Sequence, residues 1–318
     1  MAQASGIETK ILVCEETTYG QAPGSPSCDL VYVTKYTPAG QRALLNDTTL
    51  RPGQRTALRP DLGKIDLRGT LSQNFAAEDS GLLLKHMMGS ISTSGTGPYT
   101  HTLTTGSLPV GLTFEKDHGA SISGTGRYMR HSGCRVNSGA FSFGEDGYVT
   151  ADYEIIGASE TPSLSSLDST PNDPGHTSFT VWNGAFEEGG SAAATLLSMS
   201  LQYSNSLDAE TYPLNLQGAR GALKEGQAVI TGSAVFLFDS MTILNKAIAG
   251  TETSLTATLQ RGSGAGSAGN EYVQFDLQQM IYERTAPPIE GPQGLRLSVN
   301  FTGYGDGLRI ILKNAEAL

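Results

Sequence analysis

The sequence predicts a mainly β, α+β chain: two tandem β-sandwich or barrel-like domains, each with one short flanking helix. Three observations predict it. Apolar and polar residues alternate with a period of two in many short runs. Two short amphipathic runs end on glycine, and one order of elements occurs twice. The alternation is clearest in "YVTADYEIIG" (148–157). There Val149, Ala151, Tyr153 and Ile155 point one way, and Thr150, Asp152 and Glu154 the other.

The elements follow in chain order. "LVYVTKYTPAGQRALLNDTTLRPGQRTALRPDLGK" (30–64) reads as a strand, a long polar excursion and a return to strand. "KIDLRGTL" (64–71) is a strand, and "GLLLKHMMG" (81–89) is a helix closed by its glycine. "LTFEK" (112–116) and "VTADYEIIG" (149–157) complete the first half. The second half repeats the series. Residues 196–227 give strand, excursion and strand; "QAVITGSA" (227–234), "TILNKAIAG" (242–250), "LTATL" (255–259) and "LRLSVNFTG" (295–303) follow. Leu295, Leu297, Val299 and Phe301 thereby match Val149, Ala151, Tyr153 and Ile155. Five pairs in the same order argue for a tandem duplication, with domains at 1–157 and 177–318. Between them "ASETPSLSSLDSTPNDPGH" (158–176) is rich in Ser, Pro and Asp without periodicity and reads as a linker. "RGSGAGSAGN" (261–270) reads as a hairpin tip, since no helix start follows it as a phosphate cradle requires. In "YGDGLRIILKNAEAL" (304–318) the alternation fits a last strand, with an arm to a neighbouring copy as the alternative.

Composition limits the function. The chain has 318 residues, 38% hydrophobic and 16% charged, which is globular rather than disordered. No window approaches the ~18 apolar residues of a membrane span, so no membrane partner is expected. "MAQASGIETK" shows no basic cap before an apolar core, so no export signal is read there. Cys14, Cys28 and Cys134 lack paired metal spacing, and reduced thiols are expected, with Cys14 and Cys28 the only conceivable pair. A net charge of −10 opposes tight nucleic-acid binding, because gripping phosphates requires cations.

The search for catalytic groups returns little. His86, His101, His118, His131 and His176 are scattered, and His131 and Cys134 fall on opposite faces of a strand. No metal site and no cofactor are expected. Asp152 and Glu154 share a face, but the matched positions in the second half are Ser298 and Asn300, so a solvated face is the expected reading. Trp182, in the strand-like "FTVWNG", reads as a core or hydrogen-bonded anchor. The chain does not read as an enzyme. Its two long excursions stand out instead, because loops of about 20 residues in compact domains are uncommon and usually have a function. The first carries Arg42, Asp47, Arg51, Arg55 and Arg59, the second Asp208, Glu210, Arg220 and Lys224. Basic arms on an acidic body suit a head-to-tail contact that stacks into a filament.

The stretch "YMRHSGCRVNSGAFSFGEDGYVTADYEIIG" (128–157) resembles the tail tube proteins of long-tailed, siphovirus-like bacteriophages. The residues that carry it are Gly133, Cys134, Val136, Asn137 and Ser138, then Gly147, Val149, Thr150, Tyr153 and Gly157. The second half keeps the alternation but not this motif. The resemblance implies two tail-tube-like domains in a structural virion protein, assembled in the host bacterial cytoplasm. It implies rings whose sheets join edge to edge around a channel for genome passage. Its partners would be further copies of itself, a tape-measure protein, tail terminator and distal tail proteins, and double-stranded DNA that passes without tight binding. Four lining strands per half at ~4.8 Å spacing and ~40° tilt give 24 strands and a backbone diameter of about 48 Å for three chains, which leaves a channel wide enough for a DNA duplex. That predicts a trimeric ring with pseudo-sixfold symmetry. Thr150, Asp152 and Glu154, with Arg296, Ser298 and Asn300, would line it, and acidic lining would repel phosphates. Two other readings stay open: a secreted β-sandwich carbohydrate-binding or adhesin module, and a β-rich glycosidase.

Overall fold

A computed structural model describes residues 5–289 and 294–318; the first four residues of the opening stretch lie outside it. The first half begins with β1 (Lys10–Glu15), β2 (Asp29–Val31), β3 (Lys35–Tyr36), β4 (Ala39–Leu45) and β5 (Asp61–Asn74). Helix α1 (Gly81–Met88) follows, then β6 (Gly89–Ser94), β7 (Tyr99–Thr105) and β8 (Leu112–Asp117). It closes with β9 (Tyr128–Phe143), β10 (Thr150–Gly157) and β11 (Ser159–Ser163). The second half holds β12 (Gly184–Glu188), β13 (Ser191–Ala192), β14 (Leu196–Ser204) and β15 (Val229–Leu237). After α2 (Thr242–Ala249) come β16 (Thr253–Gln260), β17 (Tyr272–Tyr282), β18 (Arg296–Gly303) and β19 (Leu308–Asn314). The chain is mainly β, as the alternation predicts.

Strand pairing repeats between the halves. In the first, β4–β5–β10–β9 form one layer and β1–β8–β9–β11 another. In the second, β14–β15–β18–β17 and β12–β16–β17–β19 do the same. The long strands β9 and β17 each serve both layers. Both helices end where expected: Gly89 (φ 92°) and Gly250 (φ 62°) take positive φ, which glycine adopts without Cβ strain.

The halves share one core. Phe141 lies 4.6 Å from Phe275 between ring centroids, and Phe75 lies 5.6 Å from Phe275. Each such ring, buried from water, contributes about 1.5–3 kcal/mol. Two further joints tie the halves: β9 pairs with β14, and β7, from an insertion present only in the first half, pairs with β19. That β6–β7 hairpin also covers α1, leaving seven of its eight residues buried, whereas α2 buries only Leu244 and Ala247.

Two expectations need correction. The segment read as a linker contains β11, and beyond it the chain is pinned: Leu167 N–H donates to the Glu115 carboxylate at 2.8 Å, and Asp168 accepts from Cys28 N–H at 3.0 Å. Proline and serine concealed a strand whose edge lies at the surface, where Pro162 is tolerated. Trp182 lies not in a strand but in a 3-10 turn, Val181–Asn183, and is 75% exposed. The turn is capped reciprocally by Thr180 and Asn183, so the indole anchors nothing inside the chain. The Gly-rich 261–270 stretch does join β16 to β17 as a hairpin, and 308–314 is the expected last strand.

Candidate functional site

The layer β4–β5–β10–β9–β14–β15–β18 presents one face to solvent, and the strand registers set its residues in rows. Asn74, Thr150, Ser142, Ser200, Ser233 and Asn300 form one row. Lys35, Ser72, Asp152, Ala140, Gln202, Thr231 and Thr302 form the next. Thr70, Glu154, Ser138, Ser204 and Val229 form a third. Period two builds this face, because Ala151, Tyr153, Leu201 and Phe301 on the same strands point into the core. Phe301 packs over Gly232, where a Cβ would sit 2.3 Å from the ring.

All six residues predicted to line a channel, Thr150, Asp152, Glu154, Arg296, Ser298 and Asn300, lie on this face. Its chemistry differs from the acidic surface the first half suggests. Hydroxyls and amides dominate, and Lys35 shares the row of Asp152. Several groups satisfy one another: Ser200 and Ser233 hydroxyls lie 2.8 Å apart, and Glu154 accepts from the Asn137 amide at 2.5 Å. Arg296 donates to Glu145 at 2.6 Å. The Ser/Ala/Ser spacing of 138, 140 and 142 was visible in the sequence; its continuation across β14 and β15 was not.

The two excursions leave the same end of this layer. Residues 61–66 of β5 run beyond β10, paired only with β4, so a hairpin projects about 20 Å with the 46–60 loop at its tip. Leu44, Leu45, Leu50 and Leu62 are exposed on it, as are Arg55 and Arg59. Within it Arg51 pairs with Asp47 at 2.9 Å, and Arg42 donates to Gly63 O at 2.8 Å.

The second excursion folds back against the base of this hairpin. Gly218 O accepts from Ile65 N–H at 2.7 Å, and Glu210 pairs with Lys64 and Arg68, each at 2.9 Å. Asp208 N–H donates to Lys224 O. Arg220, expected on a reaching arm, is 1% exposed. Its guanidinium donates to Ala209 O at 2.6 Å, Leu67 O, Gly157 O and Asp66, and to the Tyr212 hydroxyl at 2.8 Å. Burial alone would raise the Asp66 pKa, but Arg68 and Arg220 outweigh it and hold the carboxyl below its usual range. A planar five-donor group suits this site, and its donors are occupied inside the chain.

At the other end of β5, Tyr148 bridges to Thr180, and Val181 N–H donates to Gly147 O. Trp182 and Tyr148 (54% exposed) thus share one end of the molecule, with Glu145 and Asp146 in the adjacent loop. Among the described residues no group of three or more His, Cys, Asp or Glu side chains is placed to hold a metal ion. Among the described residues no helix is long and apolar enough to cross a membrane.

A family model described as phage tail tube protein matches residues 6–303. The chain belongs to that family. Among curated proteins none matches. The match spans both halves, including the second, where the 128–157 motif is absent. It makes this chain a structural component of a phage tail, and the polar layer and its two ends are the surfaces on which that role is read.

Proposed function

We propose that this chain is the major subunit of the tail tube, and that three copies form a ring whose polar faces enclose the path of the genome. One observation carries the reading: a single sheet runs through both halves, and hydroxyl, amide and charged side chains make up most of its solvent-facing rows, with Ala140 and Val229 the apolar members. With four strands from each half, three chains supply 24, enough for a barrel with a backbone diameter of about 48 Å. The lining then works by offering little to hold. Hydroxyls and amides exchange readily with water, while the few cations are balanced by acids, so phosphates find no dense cationic surface.

Rings stack end to end in this reading. The hairpin tip, with its leucines and Arg55 and Arg59, leaves one end; Trp182, Tyr148, Glu145 and Asp146 occupy the other. The fourteen residues of β5 separate these ends by roughly 45 Å. Apolar and charge complementarity along one axis builds a filament rather than a closed dimer. Tape-measure, terminator and distal tail proteins would meet the bore and the two tube ends. The test is direct: concentrate the purified chain, look for tubes by negative-stain microscopy, and measure the mass of isolated rings. Three chains per ring are expected. Six chains per ring, or a monomer at every concentration, would overturn the proposal.

A further inference from the structure

The layer contains one joint between its halves, and its two free edges match the sides of that joint. In the joint, Met199 stands opposite Phe143, Leu201 opposite Phe141 and Tyr203 opposite Gly139. Asn205 N–H donates to Asn137 O at 2.7 Å, so by antiparallel alternation these three pairs exchange main-chain hydrogen bonds. The helix beside the joint is sealed. Met87 is fully buried, and its carbonyl accepts from the Asn205 amide at 2.9 Å.

Registers locate the matching positions. Gly69 stands opposite Ile155 as Gly232 stands opposite Phe301. One strand further out, Tyr36, Pro38 and Gly40 hold the places of Met199, Leu201 and Tyr203. On the other side Tyr282 faces Phe301 as Val136 faces Ile155, so by position residues 283–289, which lie past the end of β17 and form no strand within the chain, match 137–143 of β9. Burial keeps step as far as Pro288: Thr285 and Pro287 are half-covered and Arg284, Ala286 and Pro288 exposed, while Ile289, at the place of Phe143, is 83% exposed and without the cover Phe143 has. Neither edge has a further strand partner among the described residues. In the helix pair, Ile248 holds the place of Met87, yet it is 51% exposed.

We propose that residues 284–289 of one copy pair antiparallel with residues 36–41 of a second copy, Ala286 facing Ala39, and that the second copy covers Ile248. The proposal rests on the ring reading, since a ring gives every copy both contacts. The register sets Pro38 against Pro287, in the slot where Leu201 and Phe141 exchange two hydrogen bonds. Neither proline has an N–H, so the middle of this ladder is blank. The external joint thus has the internal joint's shape with a weaker ladder. Exposed strand edges pair indiscriminately unless interrupted, and edge prolines interrupt them. Selectivity then falls to the apolar cover over Ile248.

Cysteine pairing tests the register. Ala39 and Ala286 form a non-hydrogen-bonded pair, with Cα atoms about 4.5 Å apart, within disulfide reach. The native cysteines are buried and add little background. Mild oxidation of assembled Ala39→Cys/Ala286→Cys protein is expected to yield covalently closed rings on a non-reducing gel. Either single variant, or Ala39→Cys with Thr285→Cys, should yield none. Tubes that form but do not cross-link in register, or that cross-link out of register, overturn the joint and leave the tube reading standing. Failure of the unmodified chain to form tubes overturns both. Ile248→Asp should keep the monomer's circular dichroism and abolish rings; rings unchanged by it would remove the covering role.

Discussion

Between β4 and β5 the chain runs out past the sheet and exposes Leu44, Leu45 and Leu50; between β14 and β15 the equivalent stretch turns back and buries Arg220. Both excursions begin in matched strands, yet only the first has a paired stem. β5 starts six residues beyond the end of β10, whereas β15 starts at Val229 opposite Ser204, the end of β14. Without a stem, the second excursion leans on the first half through Gly218, Leu207 and Arg220, and closes on itself where Asp208 meets Lys224. The sheet pairing repeats between the halves while the loops differ: one excursion projects, and the other braces its base.

Several experiments would break or sharpen that contrast. The largest effect is expected from replacing residues 47–58 with a short Gly-Ser turn. Tubes should vanish, while the melting temperature moves little, because shortening a surface loop changes closure entropy by only about 0.6 kcal/mol per halving. Normal tubes from this variant would show that the arm does not stack rings. Next, Arg220→Ala should cost about 3 kcal/mol or more in chemical denaturation, since it strips three carbonyls and Asp66 of a buried cation. Arg220→Lys should recover little of that, having no fork to reach them. A loss under 1 kcal/mol for the alanine variant would mean that the brace is not holding.

A smaller effect lies in the acid range. Hydrogen bonding from His86 lowers the Glu15 pKa from 4.5 to about 2, and Asp66 is also held low. Depressed carboxylates stabilise the fold fully above their unfolded pKa, and the contribution is lost as pH falls through the folded one. The melting temperature should therefore decline from about pH 4.5 towards 2, and Glu15→Gln should flatten part of that decline. An identical slope in the variant would refute the assignment. Least of all, Glu210→Gln should leave the denaturation midpoint unchanged, as its partners are solvent-exposed.

Much of this was legible in the chain itself. Period-two alternation placed β10 and β18 and told their buried residues from their exposed ones, because one face of each is core. Glycine marked both helix ends. The β6–β7 hairpin escaped notice because "GSISTSGTGPYTHTLTT" is hydroxyl-rich with few apolar residues to set a period. β11 hid behind Pro162. Matching Thr150, Asp152 and Glu154 to Arg296, Ser298 and Asn300 placed the latter three on the same exposed face of the sheet. Arg220 was misplaced because charge suggests solvent, and only the tertiary fold brings three carbonyls and a carboxylate around it. Trp182 was misplaced for the converse reason: an indole suggests burial, and nothing local says that its turn sits at an end of the molecule.

The pairing of β7 with β19 has a bearing on how the subunit is born. A strand near residue 100 must wait for one synthesised roughly 200 residues later, the kind of distant contact that slows folding. Until then its open edge is a hazard to its neighbours. The edge of β7 is therefore closed only after β19 has been synthesised.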